Sequence, residues 1–301
     1  ITLRDFVYRG RRNDCDDQVE SICPLCSLGC RIKAYVRTGS VARVEGLSAN
    51  SPDGGQLCHK GRWGLPKSTE RDRLTAPMIR TGSSFREASW EEALNLIASK
   101  LGSASKAGRA GALLSELSTD EELSVVSSFF RDTMKMDKVD GFFGNMLRGF
   151  VKGFQPFADQ GIRPFTGAHN ILESDAIVVI GANPQEEAPV AASYIRVSTI
   201  IERAKLINLS AGKNPFDGIT DADIRAALPG EMEKVLVSLR EAVEGGPEPK
   251  EPAMAESARV LREAKKPVFV IGSSLAEHPS LVTEALNLAV ASKAFFDDGL
   301  G

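Results

Sequence analysis

The fold class of this chain is decided by residues 175–184, which read DAIVVIGANP. Five consecutive apolar residues, Ala176 to Ile180, stand between an aspartate and a Gly-Ala-Asn-Pro turn. A continuous apolar run of this length, ended by glycine and proline, is typical of a strand buried on both faces of a parallel sheet. We therefore predict an α/β fold for this part of the chain.

The segments around this strand repeat the alternation of buried strand and helix. A capping box at Ser89, with Glu92 able to reach back to the cap nitrogen, predicts the first helix of the series. Further strands are predicted at 110–114, 205–209 and 268–271, and further helices at 120–134, 188–203, 222–243, 256–264 and 281–291. Short apolar strands separated by amphipathic helices indicate a parallel sheet covered on both faces. The sequence thus predicts a Rossmann-like parallel α/β domain over residues 76–301.

The first 75 residues have a different pattern. Apolar residues alternate through 31–46 on either side of Thr38-Gly39-Ser40, which predicts a β-hairpin. The following stretch, 48–56, is rich in glycine and proline and returns the chain toward the hairpin. We predict a small β-rich lobe at residues 1–75, followed by the α/β domain.

Four of the five cysteines form one motif, C-x2-C-x3-C-x27-C, at Cys23, Cys26, Cys30 and Cys58. Three thiolates on a tight loop and a fourth on a returning segment can converge on a soft metal centre, either a zinc ion or a [4Fe-4S] cluster. Zinc sites usually bring their cysteines as two C-x2-C pairs. The triplet fits the wider corners of a four-iron cluster better, so we expect one [4Fe-4S] cluster at these cysteines. Cys15, among acidic neighbours, is expected to be a free thiol.

Composition limits the partners that this chain can have. Its formal net charge is -3 over 301 residues, which provides no basic surface for nucleic acid. No apolar run reaches the roughly 18 residues that a membrane-spanning helix needs. The first residues resemble neither a secretion signal nor a twin-arginine leader. We expect a cytoplasmic protein that associates with a membrane only through partner subunits.

Four separated sequences resemble the N-terminal part of the molybdopterin oxidoreductase superfamily, which includes formate dehydrogenases, nitrate reductases and the large iron-sulfur subunit of NADH:quinone oxidoreductase. In order, they are CPLCSLGC at 23–30, RVEG at 43–46, LCHKGR at 57–62 and DRLTAP at 72–77.

The second half is most similar to the large iron-sulfur subunit of NADH:quinone oxidoreductase (complex I), through residues 175–184, Glu187-Ala188-Pro189 and Ile195-Arg196. Formate dehydrogenase alpha subunits come second. The resemblance implies that the chain is the later portion of a longer subunit, or a homologue reduced to that portion. It also implies that other iron-sulfur and flavin subunits are its partners.

Two positions depart from the molybdenum and tungsten enzymes of the superfamily. These enzymes usually take a cysteine, selenocysteine, serine or aspartate as metal ligand after the first strands, and residues 142–150, FFGNMLRGF, contain none of them. Asn208-Leu209-Ser210-Ala211 stands where they typically show an Asp-Pro-Arg-like sequence. We therefore expect no molybdopterin. The same resemblance places Lys60 near the cluster, where its charge would raise the reduction potential.

These observations predict an electron-transfer subunit with one [4Fe-4S] cluster and no catalytic residues, in a complex I-like NADH dehydrogenase assembly. Two alternatives stay open. The chain could be the N-terminal part of a formate dehydrogenase-type enzyme with a molybdenum or tungsten bis-pterin cofactor. It could also be a structural scaffold whose cluster lies off the electron path.

Overall fold

The structure, a computed structural model, describes residues 11–47, 53–68, 74–115, 118–163, 165–296 and 299–300. The chain divides into two compact units, one made of residues 1–69 with 145–301 and the other of residues 70–144. The first unit contains both the cysteine motif and the strand at 176–180. The sequence-based division into 1–75 and 76–301 stays a prediction.

The N-terminal part is a three-stranded antiparallel sheet in the order β1-β2-β3. Its strands are β1 (Asp17–Ile22), β2 (Arg31–Arg37) and β3 (Ser40–Gly46). The predicted hairpin is confirmed, and its two turn residues, Thr38 and Gly39, both have positive φ, at 48° and 77°. Such a turn matches the twist of the strands that it joins. A π-helical turn (Lys60–Gly64) and helix α1 (Leu65–Ser68) follow.

The described residues of the unit at 70–144 form two strand pairs, two α-helices and a π-helical turn (Phe129–Thr133). Its elements are β4 (Met78–Thr81), β5 (Ser84–Glu87), α2 (Trp90–Lys106), β6 (Ala112–Leu114), α3 (Asp120–Ser128) and β7 (Val139–Gly141). Strands β4 and β5 pair antiparallel, and β6 and β7 pair parallel. The capping box predicted at Ser89 is only half formed. The Ser89 hydroxyl accepts from the Glu92 N–H at 3.1 Å, but the Glu92 carboxylate pairs with Arg86.

The remaining elements build a parallel sheet with helices around it, which confirms the predicted α/β class, and a separate antiparallel strand pair. They are α4 (Gly144–Ala158), β8 (Ala176–Ile180), α5 (Pro184–Glu187), α6 (Pro189–Ile200), β9 (Lys205–Ser210), β10 (Ala222–Arg225), α7 (Gly230–Val243), α8 (Pro252–Glu263), β11 (Pro267–Ile271), α9 (Ser273–Ala276), α10 (Pro279–Ala291), β12 (Phe295–Phe296) and β13 (Gly299–Leu300). The parallel sheet has the order β10-β9-β8-β11. The separate antiparallel pair is β12 with β13.

One predicted helix is partly wrong. The sequence pattern places residues 222–243 mainly in a helix, whereas Ala222–Arg225 is strand β10 and the helix begins at Gly230. Along β10, buried Ala222 and Ile224 alternate with exposed side chains, as expected for an edge strand. Four residues are too few for this alternation to stand out against the longer helical pattern that follows.

Strand β8 separates two apolar layers of the first unit. Val178 and Ile180 face the layer formed with helices α7, α8 and α10, while Ile177 and Val179 face the opposite layer. We call the three-stranded sheet and the following segment to residue 68 the cysteine lobe. The opposite layer contains residues of helix α6 together with four residues of this lobe, namely Cys23, Cys30, Ile32 and Val44. The N-terminal sheet and the parallel sheet therefore share one hydrophobic core.

Candidate functional site

The cysteine triplet lies in the loop between β1 and β2. At the base of this loop, the Cys23 N–H donates to the Cys30 carbonyl at 2.8 Å, which continues the ladder between the two strands. Near its end, Gly29 has φ +59°, and its N–H donates to the Cys26 carbonyl at 3.3 Å. Cys23 and Cys30 are buried in the shared core, and Cys26 is half-buried. The loop thus presents three thiols within one tight turn.

Cys58 reaches the same region from the returning segment. Its carbonyl accepts from the Arg62 N–H at 2.9 Å at the start of the π-helical turn. Within this turn, a β-carbon on Gly61 would lie 2.5 Å from Leu57 Cδ1 and 3.4 Å from Cys23 Sγ. The backbone at Gly61 therefore packs closely beside the Cys23 thiol.

Two of the four thiols, Cys23 and Cys30, have pKa values that are raised by burial and by neighbouring charges. Burial raises the pKa of Cys30 to about 12, and the negative charges of Asp53, Cys26, Cys23 and Cys58 add to this effect. Burial also raises the pKa of Cys23, with smaller contributions from Cys26 and Cys58, although a backbone hydrogen bond at Leu25 lowers it. The other three thiols are near enough to Cys30 for their charges to raise its pKa, and the role of the four cysteines as cluster ligands stays a prediction.

The donor set of these four cysteines fits a cluster of four irons, because each iron of such a cluster takes one cysteine thiolate. Among the residues that the structure describes, no group of three or more His, Cys, Asp or Glu side chains, the four cysteines included, is arranged to hold a metal ion. The fifth cysteine, Cys15, stands apart before β1, with its Sγ donating to the Arg11 carbonyl at 3.4 Å.

A buried aspartate that sequence reasoning missed connects the returning segment to the triplet. Asp53 is 4% exposed, and its Oδ2 accepts from the N–H of Arg31, the residue after Cys30, at 2.5 Å. Its Oδ1 accepts from the Gly55 N–H at 3.2 Å. The Asp53 backbone carbonyl accepts from the Tyr194 hydroxyl on helix α6. In the sequence, Pro52-Asp53-Gly54-Gly55 reads only as a turn.

Lys60 is exposed and lies two residues beyond Cys58. Its Nζ donates to the backbone carbonyl of Glu186, at the end of helix α5, at 3.3 Å. The side chain therefore links the cysteine lobe to the loop region after β8. Its influence on a cluster stays a prediction.

The second notable place is the carboxyl edge of the parallel sheet, where the strand order reverses between β8 and β11. Ligands of such folds bind at this kind of position. Gly181, with φ +56°, and Gly272 approach so closely that a β-carbon on Gly272 would run into the Gly181 carbonyl oxygen. Ser274 Oγ donates to the same oxygen at 2.5 Å. Nearby, the buried Oδ1 of Asn183 has no hydrogen-bond partner among the described residues.

The two positions that depart from the molybdenum and tungsten enzymes lie mostly in helix α4 and in strand β9. Most of the 142–150 stretch lies in helix α4, where Gly149 approaches the backbone of Ala276 and Glu277. Asn208 is buried in β9, and its Nδ2 donates to Ser210 Oγ at 3.1 Å and to Asp223 Oδ1 at 2.6 Å.

In the part of the chain that the structure describes, no helix is long and apolar enough to cross a membrane.

Two family models match the chain. The model described as "Molybdopterin oxidoreductase Fe4S4 domain" matches residues 17–67, and the model described as "Molybdopterin oxidoreductase" matches residues 73–287. The first match contains all four cysteines of the motif. The second covers most of the α/β part.

Similar curated proteins include NADH-quinone oxidoreductase subunits and formate dehydrogenase subunits. An NADH-quinone oxidoreductase subunit of Streptomyces coelicolor is 28% identical over 98% of this chain and 36% of its own length. The alpha subunit of the F420-dependent formate dehydrogenase of Methanocaldococcus jannaschii is 29% identical over 59% of this chain and 26% of its own length. The chain thus spans about a quarter to a third of these relatives.

Among solved structures, acetylene hydratase from Pelobacter acetylenicus superimposes with a TM-score of 0.71 at 15% identity, over 93% of this chain and 44% of that one. At this identity the likeness concerns the fold alone. It agrees with the α/β architecture described above.

Proposed function

Because the chain belongs to the molybdopterin oxidoreductase family and contains its Fe4S4 domain, we propose that it carries electrons through one [4Fe-4S] cluster held by Cys23, Cys26, Cys30 and Cys58. The observation that carries this proposal is the packing of Cys23, Cys30 and Cys58 in one core, where the charges of the other three thiols act on Cys30. When bound, the cluster takes up and releases one electron at a time. The chain's own residues hold its position and exclude water from the two buried cysteines.

The assembly that this subunit serves is proposed to be a complex I-like NADH dehydrogenase, with other iron-sulfur and flavin subunits as partners. The similarity to the Streptomyces coelicolor NADH-quinone oxidoreductase subunit over nearly the whole chain supports this assignment. In such an assembly the chain would lie in the cytoplasm and meet the membrane only through its partners. No NADH-binding role is assigned to it.

We further propose that this chain binds no molybdopterin. Support comes from residues 142–150, which lack cysteine and serine and lie mostly in a helix, and from Asn208, whose amide nitrogen is bonded within the sheet. A formate dehydrogenase-type enzyme is the second candidate. The observation in its favour is the unpartnered Asn183 oxygen beside Gly181 and Gly272, since a bound ligand would satisfy that oxygen.

Metal analysis of the anaerobically purified chain, combined with low-temperature EPR after reduction, tests this proposal. We expect about four irons per chain and neither zinc nor molybdenum or tungsten. Stoichiometric zinc would contradict the cluster, and molybdenum or tungsten would favour the second candidate. Cys58→Ser should remove or convert the cluster, whereas the matched variant Cys15→Ser should leave its EPR spectrum unchanged.

A further inference from the structure

We propose that the buried carboxylate of Asp53, fastened to the peptide that follows Cys30, lowers the reduction potential of the cluster. This inference rests on the cluster proposed above. It assigns to Asp53 the part of a positioning residue that acts on the cluster through its charge and through the backbone beside a ligand.

The position of the carboxylate is well defined. Both of its oxygens accept backbone N–H groups, one from Arg31 at 2.5 Å and one from Gly55 at 3.2 Å. Because Arg31 directly follows Cys30, these bonds hold the charge within one peptide unit of a cluster ligand.

The backbone around Asp53 is also held in place by hydrogen bonds and close packing. The Asp53 carbonyl accepts from the Gln56 N–H at 3.0 Å and from the Tyr194 hydroxyl, while a β-carbon on Gly54 would lie 2.7 Å from that hydroxyl. On the other side, Gly46 of β3 packs directly against the Gly55 carbonyl. The Asp53 carboxylate therefore has little freedom to move away from the peptide that follows Cys30.

Two effects of this arrangement make reduction harder. Reduction adds one electron, and hence one negative charge, to a cluster that already carries four thiolates, so a nearby buried anion opposes it. Hydrogen bonds to the cluster sulfurs also tune the potential, and the Arg31 N–H, which lies beside Cys30, is directed to Asp53.

The test compares Asp53→Asn with Asp16→Asn. Asp16 is exposed, and its Oδ2 accepts from the Thr38 N–H at 2.7 Å, so the same chemical change occurs at the far end of β2. That end lies roughly 20 Å along the strand from Cys30. Iron content and midpoint potential by EPR-monitored titration are measured for the wild-type chain and both variants.

We expect Asp53→Asn to retain its iron and to increase the ratio of reduced to oxidised cluster about tenfold at a fixed potential. For a one-electron couple this is a shift of about 59 mV to more positive potential. Asp16→Asn should leave the potential at the wild-type value. A wild-type potential in an iron-loaded Asp53→Asn variant would overturn the inference, whereas an iron-free wild-type chain would overturn the proposed function instead.

If Asp53→Asn loses its iron, the pair Asp53→Glu and Asp53→Gln gives the same comparison, because the two replacements have equal length and differ in charge. We expect the glutamine variant to have the more positive potential of the two. Equal potentials, or loss of iron from both, would overturn the inference and leave Asp53 with a purely structural part.

Discussion

The hydroxyl of Tyr194, on helix α6, donates a hydrogen bond to the backbone carbonyl of Asp53, five residues before Cys58. Both residues are buried, at 5% and 4% exposure. The bond joins the helix layer of the parallel sheet to the segment that returns the last cysteine to the triplet. The bond therefore ties the segment that carries Cys58 to a residue of the α/β part.

Replacing Tyr194 by phenylalanine should lower the free energy of unfolding by about 1 kcal/mol, the usual worth of one hydrogen bond. The loss should be no larger because the Asp53 carbonyl keeps its bond from the Gln56 N–H. Urea unfolding measures the change. Tyr35→Phe is the matched control, since the buried Tyr35 hydroxyl makes a longer contact, 3.4 Å to Glu45. An equal loss in both variants would argue against a specific bond at Tyr194.

Gly61→Ala should destabilise the cysteine lobe by roughly 1–3 kcal/mol, the range for overpacking. The added methyl group would press on the Leu57 side chain and come within 3.4 Å of Cys23 Sγ. The half-time of iron release to a chelator should shorten accordingly. Gly64→Ala, in the same π-helical turn, meets only Leu25 Cδ1 at 4.0 Å and should behave like the wild type. Similar half-times for the two variants would contradict this description.

Gly272→Ala should cost about 3 kcal/mol of unfolding free energy, because the new β-carbon would run into the backbone of Gly181 and Ala182 at the sheet edge. Backbone atoms, unlike a flexible side chain, have little room to shift. Chemical denaturation with far-UV circular dichroism measures the loss. Gly212→Ala, after neighbouring β9, meets nothing within 4 Å and is the control. If both replacements cost the same, the close approach of the two loops is not as described.

The cluster-free protein should lose stability at alkaline pH. The pKa of Cys30 is raised by burial, and further by Asp53 and the other thiols, from the usual 9.0 to about 12. A group with a raised folded-state pKa contributes its full stability below its unfolded pKa and loses it as the pH rises through the folded pKa. The loss should therefore develop between about pH 9 and pH 12. Cys30→Ser, which does not titrate there, should reduce this slope in urea unfolding measured at several pH values; an unchanged slope would refute the assignment.

Much of the fold was predictable because its signals are local. The run from Ala176 to Ile180 is a strand over the predicted range, and the Thr38-Gly39 turn supplies the positive φ angles that the hairpin needs. Strand β1 escaped prediction because none of its side chains is buried, so its sequence shows no apolar alternation. It belongs to the sheet through its backbone pairing with β2.

The site was predictable only as far as its chemistry is carried by residue type and spacing. Four cysteines in this spacing predict a soft metal centre from the sequence alone. Asp53 and Tyr194 could not be predicted as part of the site from the sequence. An aspartate in a glycine-rich turn is common, and the hydrogen bond between the two residues spans 141 positions of the chain. The role of such a pair depends on tertiary structure, which spacing does not encode.

The shared core has a consequence for the order of events during synthesis on the ribosome. Tyr194, whose hydroxyl donates to the Asp53 carbonyl, is synthesised 141 residues after Asp53. At the usual 5–20 residues per second this delay is roughly 7–28 s. During that interval the four thiols have been made, but the helix that covers their loop has not. We expect iron and sulfide delivery to follow the emergence of helix α6, so that a nascent chain stalled before residue 189 holds no stable cluster.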